Sequence, residues 1–134
     1  MILLIHFSGG TEVTACNERT IAALQRTGLL FETPVGDNPK YSITARDLDT
    51  HLKLWSKLYN DEANPGDHFA AIMTCDHADK NCPFIPGAAV RIPLTYTDPK
   101  YADDSAEESK AYDAACKIIA TDMMRIFLAV KVKI

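Results

Sequence analysis

Tyr112, Cys116, Ile119, Met123, Phe127 and Val130 recur at steps of three and four toward the end of the chain. That spacing predicts a long helix with one apolar face, because residues three and four apart lie on the same side of an α-helix. Ser105 followed by Glu107 and Glu108 marks where it opens. A helix with a single apolar stripe must be covered by another layer, and the expected layer is a sheet. Phe69-Ala-Ala-Ile-Met-Thr-Cys75 reads as one of its strands: a continuous apolar run after the polar loop Asn60 to Asp67, as in parallel strands buried on both faces. Val90 to Tyr96 reads as another, moved toward an edge by Pro93.

Upstream, Met1 to Phe7 reads as a buried strand ended by the turn Ser8-Gly9-Gly10. Asn17 is placed to cap a helix through Glu18 to Thr27, with Ile21, Ala22, Ala23 and Leu24 turned inward and Gly28 as a left-handed stop. From Leu29 to Tyr59 the chain is punctuated by Pro34, Gly36 and Pro39. There the alternation of Leu52, Leu54 and Leu58 favours strand or irregular structure over the competing helical spacing of Leu52, Trp55 and Tyr59. Strands alternating with helices predict an α/β fold, and 134 residues without internal repeat or linker predict one domain over 1–134.

Composition removes several classes of function. With 47% hydrophobic and 24% charged residues the chain is not of the disordered type. Fourteen basic against eighteen acidic side chains, with no basic stripe, argue against nucleic acid as a partner. The apolar run Met1 to Ile5 is too short to span a membrane and lacks the flanks of a signal peptide, so a cytoplasmic location is expected and no membrane partner. In a reducing compartment the four cysteines, Cys16, Cys75, Cys82 and Cys116, are thiols, ligands or catalysts.

Two constellations carry chemistry. In Cys75-Asp-His-Ala-Asp-Lys-Asn-Cys82 the thiols are seven positions apart. On an ideal helix they would be about 10 Å apart, beyond the roughly 7 Å that a disulfide tolerates, so bridging them requires local unwinding. The pair is therefore a candidate redox switch, or else two ordinary reduced cysteines. Zinc bound by Cys75, His77 and Cys82, with Cys16 as a distant fourth ligand, is the rival; without a C-x2-C or H-x3-H pair no metal site is expected. The second constellation is Asp98-Pro99 between Tyr96 and Tyr101. Proline holds Asp98 extended, where its carboxyl group either protonates a leaving oxygen or simply initiates a turn. His6, His51 and His68 are scattered without ligand spacing, and Cys116 lies on the apolar helix face as a core residue.

Several blocks together resemble the low-molecular-weight protein tyrosine phosphatase superfamily, in the branch that includes the thioredoxin-coupled arsenate reductases. They are Asn17-Glu-Arg-Thr-Ile-Ala-Ala-Leu24, Gly36-Asp-Asn-Pro39, Met73-Thr-Cys-Asp-His-Ala-Asp-Lys-Asn-Cys-Pro-Phe-Ile-Pro-Gly87 and Thr97-Asp-Pro99. The resemblance runs from Asn17 to the end, and its cysteine block is the most specific part. It implies a doubly wound α/β fold on a four-stranded parallel sheet. It also implies that Asp98 matches the general acid, and that Cys75 and Cys82 match the pair passing oxidising equivalents to a thioredoxin-like thiol reductant. Ser56-Lys57 sits in a stretch that also looks like its relatives, with no role assigned.

The chain departs from the family at the nucleophile. That group stands in a loop of pattern C-x5-R-[ST], where backbone amides and an arginine hold a phosphate or arsenate oxyanion. Six positions after Cys16, Cys75, Cys82 and Cys116 stand Ala22, Asn81, Ala88 and Asp122, so no cysteine here belongs to such a loop. Met1 to Phe7 lines up with the family's second strand. The expectation is an N-terminally truncated domain without the first strand, phosphate loop and first helix, binding an oxyanion only if that loop is restored. Phosphatase or arsenate-reductase-like by resemblance, the chain as given is expected to be inactive, with no cofactor. The alternative is a non-enzymatic scaffold that binds a protein partner or itself. A domain short of an interior strand must have the gap filled, and a homodimer built around Met1 to Phe7 or the open edge beside it is the expected filling.

Overall fold

The computed structural model describes residues 5–46, 48–74 and 84–132. Helix α1, Glu18–Arg26, starts where the side chain of Asn17 accepts hydrogen bonds from the amides of Arg19 and Thr20, at 2.8 and 3.4 Å. It ends at Thr27, and Gly28 follows with φ +99°, a left-handed conformation that an L side chain rarely adopts.

Three strands follow, β1 at Leu29–Glu32, β2 at Tyr41–Ala45 and β3 at Leu48–Leu54, paired antiparallel in the order β1-β2-β3. Their connections are too short for a crossover, and short connections leave antiparallel pairing as the only choice. Leu29 faces Ala45 and Phe31 faces Ile43; a bulge at Thr44/Ala45 bends the second pairing, in which Ile43 faces Leu52. Alternation then sorts the faces: Tyr41 and Ile43 are buried together with Ile21 of α1, and Cys16, Leu29, Phe31 and Leu54 pack around them. The rings of Phe31 and Tyr41 meet edge to face at 5.9 Å. This is the hydrophobic core.

A second, separate sheet is the parallel pair of β4, Phe69–Met73, and β5, Ala88–Pro93. Ala71 and Met73 are buried. A single 3-10 turn, Pro99–Ala102, leads to α2, Glu108–Val132, and α2 packs on α1 and on that turn. Along α2 the apolar stripe is the less exposed side, as its spacing predicts, although among its described residues Tyr112 alone is buried and the others are half-buried. Arg19 ties the two helices together: its Nε donates to Glu108 Oε2 and its Nη2 to Asp104 Oδ1, both at 2.7 Å. Arg26 reaches Asp113 in the same way.

The class is thus mixed α/β, with one antiparallel sheet of three strands and one parallel pair. Of the strand expected at Met1 to Phe7, the described residues Ile5, His6 and Phe7 are irregular, and Ile5 and Phe7 are 66% and 51% exposed. An apolar run becomes a strand only where a ladder receives its backbone groups; among the described residues of this segment pairing begins at a lone parallel bridge between Gly10 and Leu58. No helix among the described residues is long and apolar enough to cross a membrane.

Candidate functional site

β4 and β5 run in the same direction, with Met73 opposite Pro93, so both end at the same side of the pair. The ladder continues past the strands: Leu94 N–H donates to Met73 O at 2.9 Å and Tyr96 N–H to Thr74 O at 3.1 Å. Beyond Tyr96 the chain turns at Asp98, whose Oδ1 accepts a hydrogen bond from Lys100 N at 3.0 Å and caps the 3-10 turn. Asp98 is exposed. Neither of the flanking tyrosines, Tyr96 and Tyr101, bonds to it. The Tyr96 hydroxyl is directed at Asp122 Oδ2 on α2, 3.4 Å away, and burial, reinforced by that carboxylate, pushes its pKa up. Tyr101 is 76% exposed. Asp98 therefore has the geometry of a turn-initiating residue, with one carboxyl oxygen already engaged. Cys75, His77 and Cys82, the residues of the redox and zinc expectations, lie outside the described residues. Among those described, no group of three or more His, Cys, Asp and Glu is placed to hold a metal ion.

A second constellation, which spacing alone did not point to, gathers around residues 55–59. Asn38 clamps this segment like a strand partner, its Nδ2 donating to Ser56 O at 2.8 Å and its Oδ1 accepting from Ser56 N at 3.1 Å. From the other side Thr14 N donates to Ser56 Oγ, Gly10 N to Lys57 O at 2.8 Å, and Tyr59 N to Gly10 O at 2.9 Å. Asn64 closes the corner, its Nδ2 donating to the carbonyls of Ser8, Leu58 and Tyr59. Gly9 lies so close to the backbone of Tyr59 that a Cβ there would collide with it.

Held this way, Lys57 is buried, its Nζ 3.4 Å from Ser8 Oγ and 4.3 Å from the centroid of the Trp55 ring. Lys40 approaches the same ring to 4.9 Å. Cys16 stands within the field of Lys57, yet burial outweighs that field and pushes the thiol's pKa up, so the group is a packed thiol rather than a reactive thiolate. Cys116 is likewise free and half-buried on α2. The sequence carried one signal for this corner, a lysine set among Leu54, Trp55, Leu58 and Tyr59.

Among the described residues, two surface depressions have volumes of about 380 Å³ each. One lies between α1 and the start of α2 around Arg19, Glu108 and Tyr112, the other beside Asn64 and Phe69. Comparison with known protein families, with curated proteins and with solved structures finds no match to this chain.

Proposed function

We propose that the chain is a domain of the low-molecular-weight protein tyrosine phosphatase type, in its arsenate-reductase-like branch, and that this polypeptide does not turn over substrate. The observation that carries the reading is the hydrogen bond from Tyr96 N–H to Thr74 O. It joins the residue before Cys75 to a residue two positions before Asp98, so the segments bearing the expected redox cysteine and general acid leave the same carboxyl end of a parallel pair. Ligands of open α/β sheets bind at that end. The parallel pair would then be part of a doubly wound sheet, with Asp98 as proton donor and Cys75 and Cys82 as the pair that exchanges with a thioredoxin-like thiol.

Chemistry stops there because no thiolate stands in an oxyanion-binding loop: none of the four cysteines has an arginine six positions on. A general acid by itself supplies only about 10² to 10⁴ in rate. The experiment is an assay of aryl phosphate hydrolysis and of thiol-dependent arsenate reduction with the chain as given. No turnover above background is expected, and turnover lost on Cys→Ser change at Cys16, Cys75, Cys82 or Cys116 would overturn this part. Mild oxidation followed by mass mapping should link Cys75 to Cys82 and leave Cys116 free; a link that includes Cys116 would refute the redox pair.

A self-associating scaffold is the second reading. It is favoured by β4, which among the described residues has β5 as its one strand neighbour, and by Val90 and Ile92 of β5, which are 49% and 38% exposed. Light scattering at micromolar concentration should then report a dimer, and a well-folded monomer would remove this reading.

A further inference from the structure

An ammonium group withdrawn from water needs a counter-charge or a full set of acceptors for its three N–H donors. Lys57 is 6% exposed, yet among the described residues its Nζ has one long hydrogen bond, 3.4 Å to Ser8 Oγ, and one ring contact, to Trp55. The ion pairs of Arg19, Arg26, Lys110 and Arg125 lie elsewhere, and no carboxylate among the described residues pairs with Lys57 or Lys40. Cys16 is disfavoured as the missing charge, because burial pushes its thiol pKa up despite the nearby Lys57. Among the described residues the corner therefore holds two lysines around one indole with no carboxylate paired to either.

It is also rigidly built. Asn38, Gly10 and Asn64 fix the backbone on either side of Lys57, and the close approach of Gly9 to Tyr59 keeps Ser8 beside the ammonium. Ser8 accepts from Lys57 through Oγ and keeps its own O–H free to donate onward. A donor hydroxyl beside a partly unsatisfied ammonium is the pattern that receives an anionic oxygen.

We propose that Lys57 and Ser8 form a binding site for an anionic oxygen ligand, supplied as a free oxyanion of the phosphate type or as a carboxylate of a second copy of this chain. The ligand accepts the remaining ammonium hydrogens and the Ser8 hydroxyl, and Lys40 adds long-range attraction across the ring. This site does not rest on the family resemblance.

Trp55 is the one tryptophan of the chain, so its fluorescence reports on this corner alone. The full chain is titrated with inorganic phosphate against sodium chloride at matched ionic strength, at several protein concentrations, with the oligomeric state followed by sedimentation. A free oxyanion gives a saturable change in Trp55 emission that is independent of protein concentration. A carboxylate of a second copy gives a change that follows protein concentration and dimer content instead. In either case Lys57→Met should weaken the response about tenfold or more, and Ser8→Ala to a smaller extent, while Lys110→Met on α2 leaves it unchanged. Ser8→Ala keeps the buried charge and serves as the test if Lys57→Met does not fold. The proposal is overturned if neither phosphate nor protein concentration moves Trp55 emission beyond the chloride control, or if the Ser8 and Lys57 variants respond as the wild type does.

Discussion

Tyr41 and Ile43 of β2 are buried against Ile21 of α1, whereas Val90 and Ile92 on β5 of the parallel pair remain in contact with solvent. Both sheets are made of apolar strands, and the difference lies in what their connections can bring. The antiparallel sheet is joined by short loops to itself and to α1, so one local stretch of chain supplies both the strands and their cover. A parallel pair requires a long crossover and cover on both faces; here Ala71 and Met73 of β4 are buried while β5 looks outward. The first region covers one of its faces from its own stretch of chain and leaves Leu30 and Leu52 exposed on the other, whereas the second leaves Val90 and Ile92 of β5 without such a local cover.

Four measurements test this contrast. The largest effect is expected in the locally covered region: Ile43→Ala removes a buried branch between α1 and β3 and should cost about 3 kcal/mol in urea denaturation. A loss below about 1 kcal/mol would show that the core lies elsewhere. Asn17→Ala removes the cap that starts α1 and should cost about 1 kcal/mol by the same measurement.

A smaller and salt-sensitive effect is expected on acidification. The Arg19 guanidinium, and after it the amide of Asp104, hold the Glu108 carboxyl below its ordinary pKa. Because the folded value lies below the unfolded one, this contribution is complete above the unfolded pKa, about 4.3, and is lost as pH falls through the folded value. The slope of stability against pH in that acid range should flatten in Glu108→Gln, and added salt should shrink it. Unchanged slopes would mean that the Arg19 tether contributes nothing. The smallest effect belongs to β5: Ile92→Thr should change stability by no more than about 0.5 kcal/mol if that face is bare. A larger loss that grows with protein concentration would show the face to be covered in solution.

What the sequence revealed was local. Asn17 and Gly28 bracket α1 because caps act within one turn, and the apolar run from Phe69 marks β4 because both its faces have to avoid water. The steps of three and four from Tyr112 describe α2 for the same reason. Pairing was less legible. Tyr41, Ile43 and Ala45 alternate cleanly, yet the nearby prolines and glycine hid the β2–β3 hairpin. Met1 to Phe7 reads as a strand, yet its described residues Ile5 to Phe7 are irregular, because an apolar run does not reveal whether a neighbour exists to receive it. Asp98 was legible as a turn residue, since its cap partner is Lys100, two positions away. Lys57 was legible only as a lysine among apolar neighbours: its meeting with Ser8 and Gly10, some fifty residues earlier, is encoded by no pattern near it in the chain.

Pro93 gives the parallel pair a polarity of its own. Leu94 N–H points to Met73 of β4, and successive amides of a strand point to opposite sides, so the N–H that Pro93 lacks belongs to the outer edge of β5. That edge is blunted, while the outer edge of β4 carries no proline. A head-to-tail filament needs two complementary edges on every molecule and is obstructed at one of them. Two β4 edges can still meet across a twofold axis, and each then consumes the other. Strand addition through this pair would therefore end in a closed dimer rather than propagate into a fibre.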